Sequence, residues 1–335
     1  MRDRPPIPIM ECGGKRSATP LWLVFVFDTS RNTSAIQKRR RASLAAALHD
    51  LDSAVRTCVG LAVNLNQTGM NRFAHVSLVA FLAGGCATVV PTMNSKFQDY
   101  TLNYQTLVDP PLQQLLEQID SSLRAKYGMT MQQTSLGLLD LRSLRLAMVR
   151  PDYEMYAASV AKIGILLAYF QLHPAAATNL DALTRHELGL MIRPSSDEMA
   201  TKFGQEMGLK TIQQVLDSYH FYDASRGGGL WVGKYYGKSG ERIGDPVADH
   251  SHAATVRQLL RFYLLLEQGE LVSPEASRTM LEIFGLSDIP ADEIKFVKGL
   301  AGRPIQILRK WGSWKTGFMT RPLSVGRTGI TFWSP

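Results

Sequence analysis

Cysteine is scarce in this 335-residue chain: Cys12, Cys58 and Cys86 are the only three. None follows Cys86, so the long remainder can hold no disulfide except through Cys86 itself, and CxxC metal spacing is absent. Long hydrophobic runs are missing as well. Residues 21–27 (LWLVFVF) are apolar but far short of the ~20 residues that a membrane-spanning helix needs. Nor is there a compositional sign of wholesale disorder, because 45% of residues are hydrophobic and 20% charged, as in globular proteins. The length suffices for one large domain or two small ones with a sizeable core.

Acidic residues are in deficit, and the net charge of +8 invites a nucleic-acid reading. The excess is badly placed for one. Residues 1–69 carry ten Lys/Arg against five Asp/Glu, Arg72 adds one charge, and Arg321 and Arg327 add two after Gly317. What remains, residues 86–317, is neutral. A neutral body has no electrostatic footprint for phosphates, so no nucleic-acid partner is expected. Residues 38–41 (KRRR) read as a solvated charge run before they read as a localisation signal.

Residues 1–69 do not read as a packed domain and are expected to be a non-native or disordered upstream extension. From Met70 the texture changes: Arg72, an apolar stretch through Leu82, then small residues ending at Cys86. That is the layout of a secretory signal peptide over 70–85, with a buried helix ending in small residues as the alternative. LAGGC resembles the lipobox of bacterial lipoproteins, with Leu82 one place too far from Cys86. A linker is expected over 86–111.

Beyond it, apolar residues at 112, 115, 116, 119 and 123 form one helical stripe that Gly128 stops. Residues 134–148 alternate and predict a strand pair, followed by an Arg150-Pro151-Asp152 turn. The nearly all-apolar 160–172 predicts a buried helix. Helical patterns recur at 198–208, 212–216, 253–267 and 274–284, the last with Ser273 as cap and Pro274 in its first turn. Residues 305–314 read as a strand. This order predicts an α+β fold: an antiparallel sheet flanked by helices, with a helical subdomain inserted over about 163–285.

Three short motifs carry chemistry. Ser159-Val160-Ala161-Lys162 opens the buried helix, and a spacing of three puts both side chains on one face. Serine needs an adjacent base, and a lysine entering an apolar helix is desolvated toward its neutral form. The helix start also offers free N–H groups to a developing oxyanion. Ser196-Asp197-Glu198 heads a later helix, where it also suits a capping stretch. Lys315-Thr316-Gly317 ends the last strand, where small residues would let a substrate backbone lie along its edge.

Together these are the S-x-x-K, S-D-N and K-T-G set, in order, and the chain resembles the class A β-lactamase and penicillin-binding serine hydrolase superfamily. YAASVAKIGILLAY, GELVSPEASRTMLE and GSWKTG extend the resemblance over about 112–320, the expected catalytic domain. It implies Ser159 as the acylated nucleophile, Lys162 as its base or proton relay, and Ser196 as the proton shuttle to the leaving nitrogen. Lys315 would keep the site electropositive, and Glu198, Thr316, Gly317 and Phe318 would contact substrate, with the N–H groups of Ser159 and Phe318 as oxyanion hole. Implied too are a β-lactam or cell-wall peptide substrate, no metal and no cofactor, and a monomer. Export to the periplasm or envelope is expected, with Cys86 a candidate lipid anchor.

Three features depart from the family pattern. Glu198 stands where Asn is usual and could pair with Lys162 or Lys315. The stretch 221–252 lacks the Ω-loop glutamate that class A enzymes use for deacylation, leaving Glu241, Asp245 and Asp249 as the available acids; His250 and His252 beside Asp249 make only a weak metal motif. Residues 321–335 read as an atypical tail, so further C-terminal strands and a closing helix are expected to be missing, as a frame shifted near Thr320 would produce.

Overall fold

Short apolar runs and helical stripes divide this chain into sheet and cover, and the structure, a computed structural model, describes residues 21–29, 95–141, 143–237, 241–286, 289, 306–315 and 325–334. The elements are β1 (Leu21–Thr29), α1 (Ser95–Gln98), α2 (Pro110–Tyr127), β2 (Thr134–Asp140), β3 (Arg145–Val149) and β4 (Met155–Tyr156). Next come α3 (Lys162–Leu172), α4 (Ala182–Ile192), α5 (Asp197–Met207), α6 (Leu209–Ser218), β5 (Tyr222–Asp223), β6 (Gly228–Gly229) and β7 (Trp231–Val232). The chain continues through β8 (His252–Ala254), α7 (Val256–Gln268), α8 (Pro274–Gly285), β9 (Gln306–Lys315) and β10 (Val325–Ser334). The fold is α+β, as expected.

The main sheet is antiparallel, in the order β3-β2-β1-β10-β9. Two of its strands correct the sequence reading. Leu21–Thr29, assigned there to an upstream extension, lies between β2 and β10, with Leu23 opposite Leu138 and Thr331. A continuous apolar run too short for a membrane is what an internal strand requires. Val325–Ser334, assigned to a patternless tail, is the strand that joins β1 to β9. Among the described residues no helix follows it.

Both faces of β2 are covered. Leu136 and Leu138 pack with Leu112 and Leu116 of α2, while Leu139 belongs to the larger core. On that other face α7 comes so close that a Cβ at Gly137 would lie 2.5 Å from Val256 and 2.7 Å from Leu260. Helix α2 starts where Asp109 accepts a hydrogen bond from the Leu112 N–H and ends at left-handed Gly128. Helix α3 is the centre of the helical layer; Ile163 to Phe170 are all buried, and α4, α5 and α6 pack around it.

The expected linker is also part of the body from residue 95 onward. Phe97 and Leu102 are buried. The Gln268 amide at the end of α7 donates to the Phe97 and Tyr100 carbonyls at 2.7 and 2.8 Å. At the other end of α7, Arg257 grips Asp152 with two hydrogen bonds of 2.7 and 2.9 Å and donates to the Asn103 carbonyl. Proline and aspartate in the 150–152 turn thus serve as an anchor for the segment that leads into Ser159.

The loop between β7 and β8 is tied to that same segment by a pair of acids. Glu154 accepts from the Gly229 N–H at 2.9 Å and shares a hydrogen bond with Asp245. Asp245 in turn accepts from Tyr222 and from the N–H groups of Val247, Ala248 and His250. Both carboxyls are buried. Burial, then the hydrogen bond with Asp245, pushes Glu154 up to about 8. For Asp245 burial works the other way, but the Glu154 hydrogen bond and the backbone N–H groups hold it down to about 2.

A proton therefore stays on Glu154 in the folded chain where the unfolded chain, with an ordinary value near 4.5, has released it. Folded molecules bind more protons between about pH 4.5 and 8, so stability falls as pH rises through that window. Glu154→Gln keeps an acceptor for Gly229 and a donor for Asp245 while removing the ionisation. Its melting temperature is expected to match the native protein near pH 4 and to exceed it by several degrees at pH 8, at about 2–4 °C per kcal/mol in a domain of this size. Thermal melts of both proteins across that range check this; parallel curves would contradict it.

Candidate active site

The turn that carries Ser159 is built from strand to helix. β4 pairs with β8, Ala157 donates to the His252 carbonyl at 2.9 Å, and the chain then turns sharply. Ala158 takes a left-handed φ of 48°, a conformation that costs a non-glycine residue energy and is held only by its surroundings. Ser159 follows, half-buried, within the 3₁₀ turn Ala158–Ala161. Helix α3 begins directly at Lys162, whose N–H donates to the Ser159 carbonyl. The S-x-x-K motif therefore sits where sequence placed it, at the entrance of a buried helix.

Lys162 is fully enclosed. Its amine donates to the Ser195 carbonyl at 2.6 Å, to Asp197 Oδ1 at 2.6 Å and, more weakly, to Ser195 Oγ at 3.4 Å. Burial lowers its pKa, and the hydrogen bond and charge of Asp197 oppose that shift. A second enclosed lysine, Lys310 of β9, donates to the same Ser195 hydroxyl at 2.6 Å. Ser195 thus bridges two lysine amines, and its own φ of 69° turns hydroxyl and carbonyl together toward Lys162.

Ser196 does something else. Its hydroxyl caps α5 by accepting from the Met199 N–H at 3.1 Å. The sequence offered Ser196 a capping or a proton-shuttle use; it is the cap, and its neighbour Ser195 is the serine that touches both lysines. Likewise the acid that pairs with Lys162 is Asp197; Glu198 is exposed, on the wall of a cleft it shares with Asp197, Thr201, Lys202 and Tyr236. The helix start explains the shift. With the cap at Ser196, the residues on either side of it, Ser195 and Asp197, both reach Lys162.

Lys315 ends β9, five residues past Lys310, which is roughly 16 Å along an extended strand. Thr316, Gly317 and Phe318 lie outside the described residues, as do Cys86 and the expected signal segment. The strand meets the Ser159 turn at Gly312 instead. A Cβ there would lie 2.8 Å from both the Ala157 carbonyl oxygen and the Ser159 nitrogen, so only glycine lets the strand approach so closely. Lys310-Trp311-Gly312 is a K-x-G triplet within β9, five residues before Lys315-Thr316-Gly317 in the sequence, and that repetition was the available signal for Lys310.

Two aromatic rings complete the surroundings of Lys162. Its amine lies 4.4 Å from the centre of the Tyr236 ring, and Tyr236 stacks on His252 with ring centres 4.4 Å apart and planes 9° from parallel. The Tyr236 hydroxyl donates to the Ala158 carbonyl at 3.0 Å. Burial, with the charges of Lys162 and Lys234, pushes His252 down to about 3, so this imidazole is neutral. Of the loop acids that sequence offered, Asp245 is engaged with Glu154, Asp249 pairs with Arg242 at 3.1 Å, and Glu241 is exposed. Among the described residues no group of three His, Cys, Asp or Glu is placed to hold a metal ion.

No protein-family model matches the chain, and no curated protein does. Solved structures similar to it include the β-lactamase of Sphaerobacter thermophilus DSM 20745, at 17% identity over 56% of this chain and 78% of that one, with a TM-score of 0.38. A β-lactamase from Chitinophaga pinensis DSM 2588 is 10% identical over 60% of this chain and 84% of that one, with a TM-score of 0.42. The class A β-lactamase of Clostridium kluyveri DSM 555 is 13% identical, covers 67% of this chain and 90% of that one, and has a TM-score of 0.41.

Proposed function

We propose that the chain is an active-serine hydrolase of the class A β-lactamase type, acylated on Ser159 by β-lactams. The observation that carries this reading is the convergence of two enclosed lysines on Ser195, beside the turn that presents Ser159. Ser159 Oγ attacks the amide carbonyl as the neutral Lys162 amine takes its proton; the pKa lowered by burial suits Lys162 to that task. The N–H of Ser159 donates to the oxyanion. As the C–N bond breaks, the Ser195 hydroxyl gives its proton to the leaving nitrogen and regains one from the lysines it touches. Lys310 attracts the substrate carboxylate. Ser195 and Lys310 thus take the roles that the resemblance gave to Ser196 and Lys315.

A second reading is a penicillin-binding, peptidase-like hydrolase that releases its acyl group slowly. What favours it is that Asp245 and Asp249 of the 221–252 stretch have other partners, while Tyr236 occupies the face of Lys162.

Two experiments test the reading. Intact-mass analysis after incubation with a penicillin is expected to show one added penicillin, absent in Ser159→Ala. Turnover of a chromogenic cephalosporin then supports the first reading and a persistent adduct the second; equal labelling of Ser159→Ala would remove Ser159 as nucleophile. The neighbouring serines separate as well. Ser195→Ala is expected to slow acylation by about 10²–10⁴, and also to lower stability because it strips an acceptor from enclosed lysine amines. Ser196→Ala should lose about 1 kcal/mol of stability with the removed cap but acylate at the native rate. The opposite pattern in stopped-flow data would restore Ser196 to the chemistry.

A further inference from the structure

We propose that Tyr236 is a positioning residue for the reaction at Ser159, holding the nucleophile turn with its hydroxyl and the Lys162 amine with its ring. The inference rests on the roles proposed for Ser159 and Lys162. Three contacts converge on this one side chain. Its hydroxyl donates to the carbonyl of Ala158, the left-handed residue immediately before Ser159. Its ring lies 4.4 Å from the Lys162 amine and stacks on neutral, buried His252.

Each contact has a physical consequence. A left-handed Ala158 persists only if something holds it, and the Tyr236 hydroxyl is a direct tie on its carbonyl. The hydrogen bonds of the Lys162 amine run to Ser195 and Asp197, and the ring face adds a contact that stabilises the cation without adding a charge. His252 backs the ring and fixes its tilt; the Tyr236 carbonyl, accepting from Thr201 at 2.6 Å, ties the backbone to α5. The loop after β7 therefore reaches the site with an aromatic side chain where a carboxylate would have offered a second base. The groups that face Lys162 are Asp197 from α5, Tyr236 from the loop and His252 from β8, with Lys310 of β9 across Ser195.

Two variants of the full chain divide the contacts. Tyr236→Phe keeps the ring and removes the tie to Ala158; Tyr236→Leu removes both. With a fluorescent penicillin as probe, Tyr236→Phe is expected to lower the limiting acylation rate about threefold to tenfold. The half-saturating concentration and the pH midpoint should not move. Tyr236→Leu is expected to lower the rate further. It should also shift the pH midpoint, because a site still desolvated but without the ring favours the neutral amine. The titration of Lys162, followed by NMR of ¹⁵N-labelled lysine side chains, should fall by about half to one pH unit in Tyr236→Leu and stay in place in Tyr236→Phe. Acylation rates and Lys162 titrations equal to native in both variants would overturn the proposal while leaving Ser159 as nucleophile. If the native protein takes no label, the reading of Ser159 fails, and the Lys162 titration alone still decides whether Tyr236 holds the amine.

Discussion

Two lysine amines, both taken out of water, meet at one serine hydroxyl, and much of the structure around them follows from that requirement. An enclosed amine must be paired, hydrogen-bonded or neutral, because an isolated buried charge is too costly to keep. Lys162 meets the condition with a carbonyl, a carboxylate and a ring face; Lys310 meets it through the Ser195 hydroxyl and the Trp311 carbonyl. Only Asp197 among these partners carries a negative charge, and it is largely exposed. Burial lowers the Lys162 pKa and Asp197 opposes that shift, and the lowered value is the property the proposed chemistry uses.

Supplying those partners constrains the backbone on three sides. Ser195 adopts a left-handed conformation so that its carbonyl and hydroxyl point the same way, and Ala158 does so to present Ser159 beside the start of α3. β9 must come within contact of the Ser159 turn, which only glycine at 312 permits. Each of these is a locally unfavourable choice, sustained by a well-packed surrounding of α3, α5 and α7. Strain of this kind gathers where geometry matters more than stability.

Periodicity made most of the fold legible. The helices around 112–127, 160–172, 198–208 and 274–284 and the strand pair 134–148 lie where apolar spacing put them, within a few residues. β1 and β10 were not, since a short all-apolar run and a stretch with little alternation carry no period that separates strand from loop. At the candidate site, Ser159 and Lys162 were singled out by three motifs in a fixed order, since S-x-x-K alone carries little. Ser195 and Lys310 were each passed over for a near-copy in the sequence: the second serine of a doublet at a helix cap, and a K-x-G triplet five residues further on. Which copy faces the lysine depends on where the helix begins and where the strand crosses the turn, and neither is a property of the motif. Tyr236 had no signal, because its role arises from loop geometry after the chain has folded.

Helix α7 also sets how this protein can loosen. It is seated on β2 at Gly137 with no room for a side chain between, pinned at its start to Asp152 and at its end to the carbonyls of residues 97 and 100. A helix held at both ends and in the middle cannot fray by stages. It opens as a single cooperative unit, together with β2 and the approach to Ser159. Loosening of β2 and of the approach to Ser159 is thereby tied to the release of one helix.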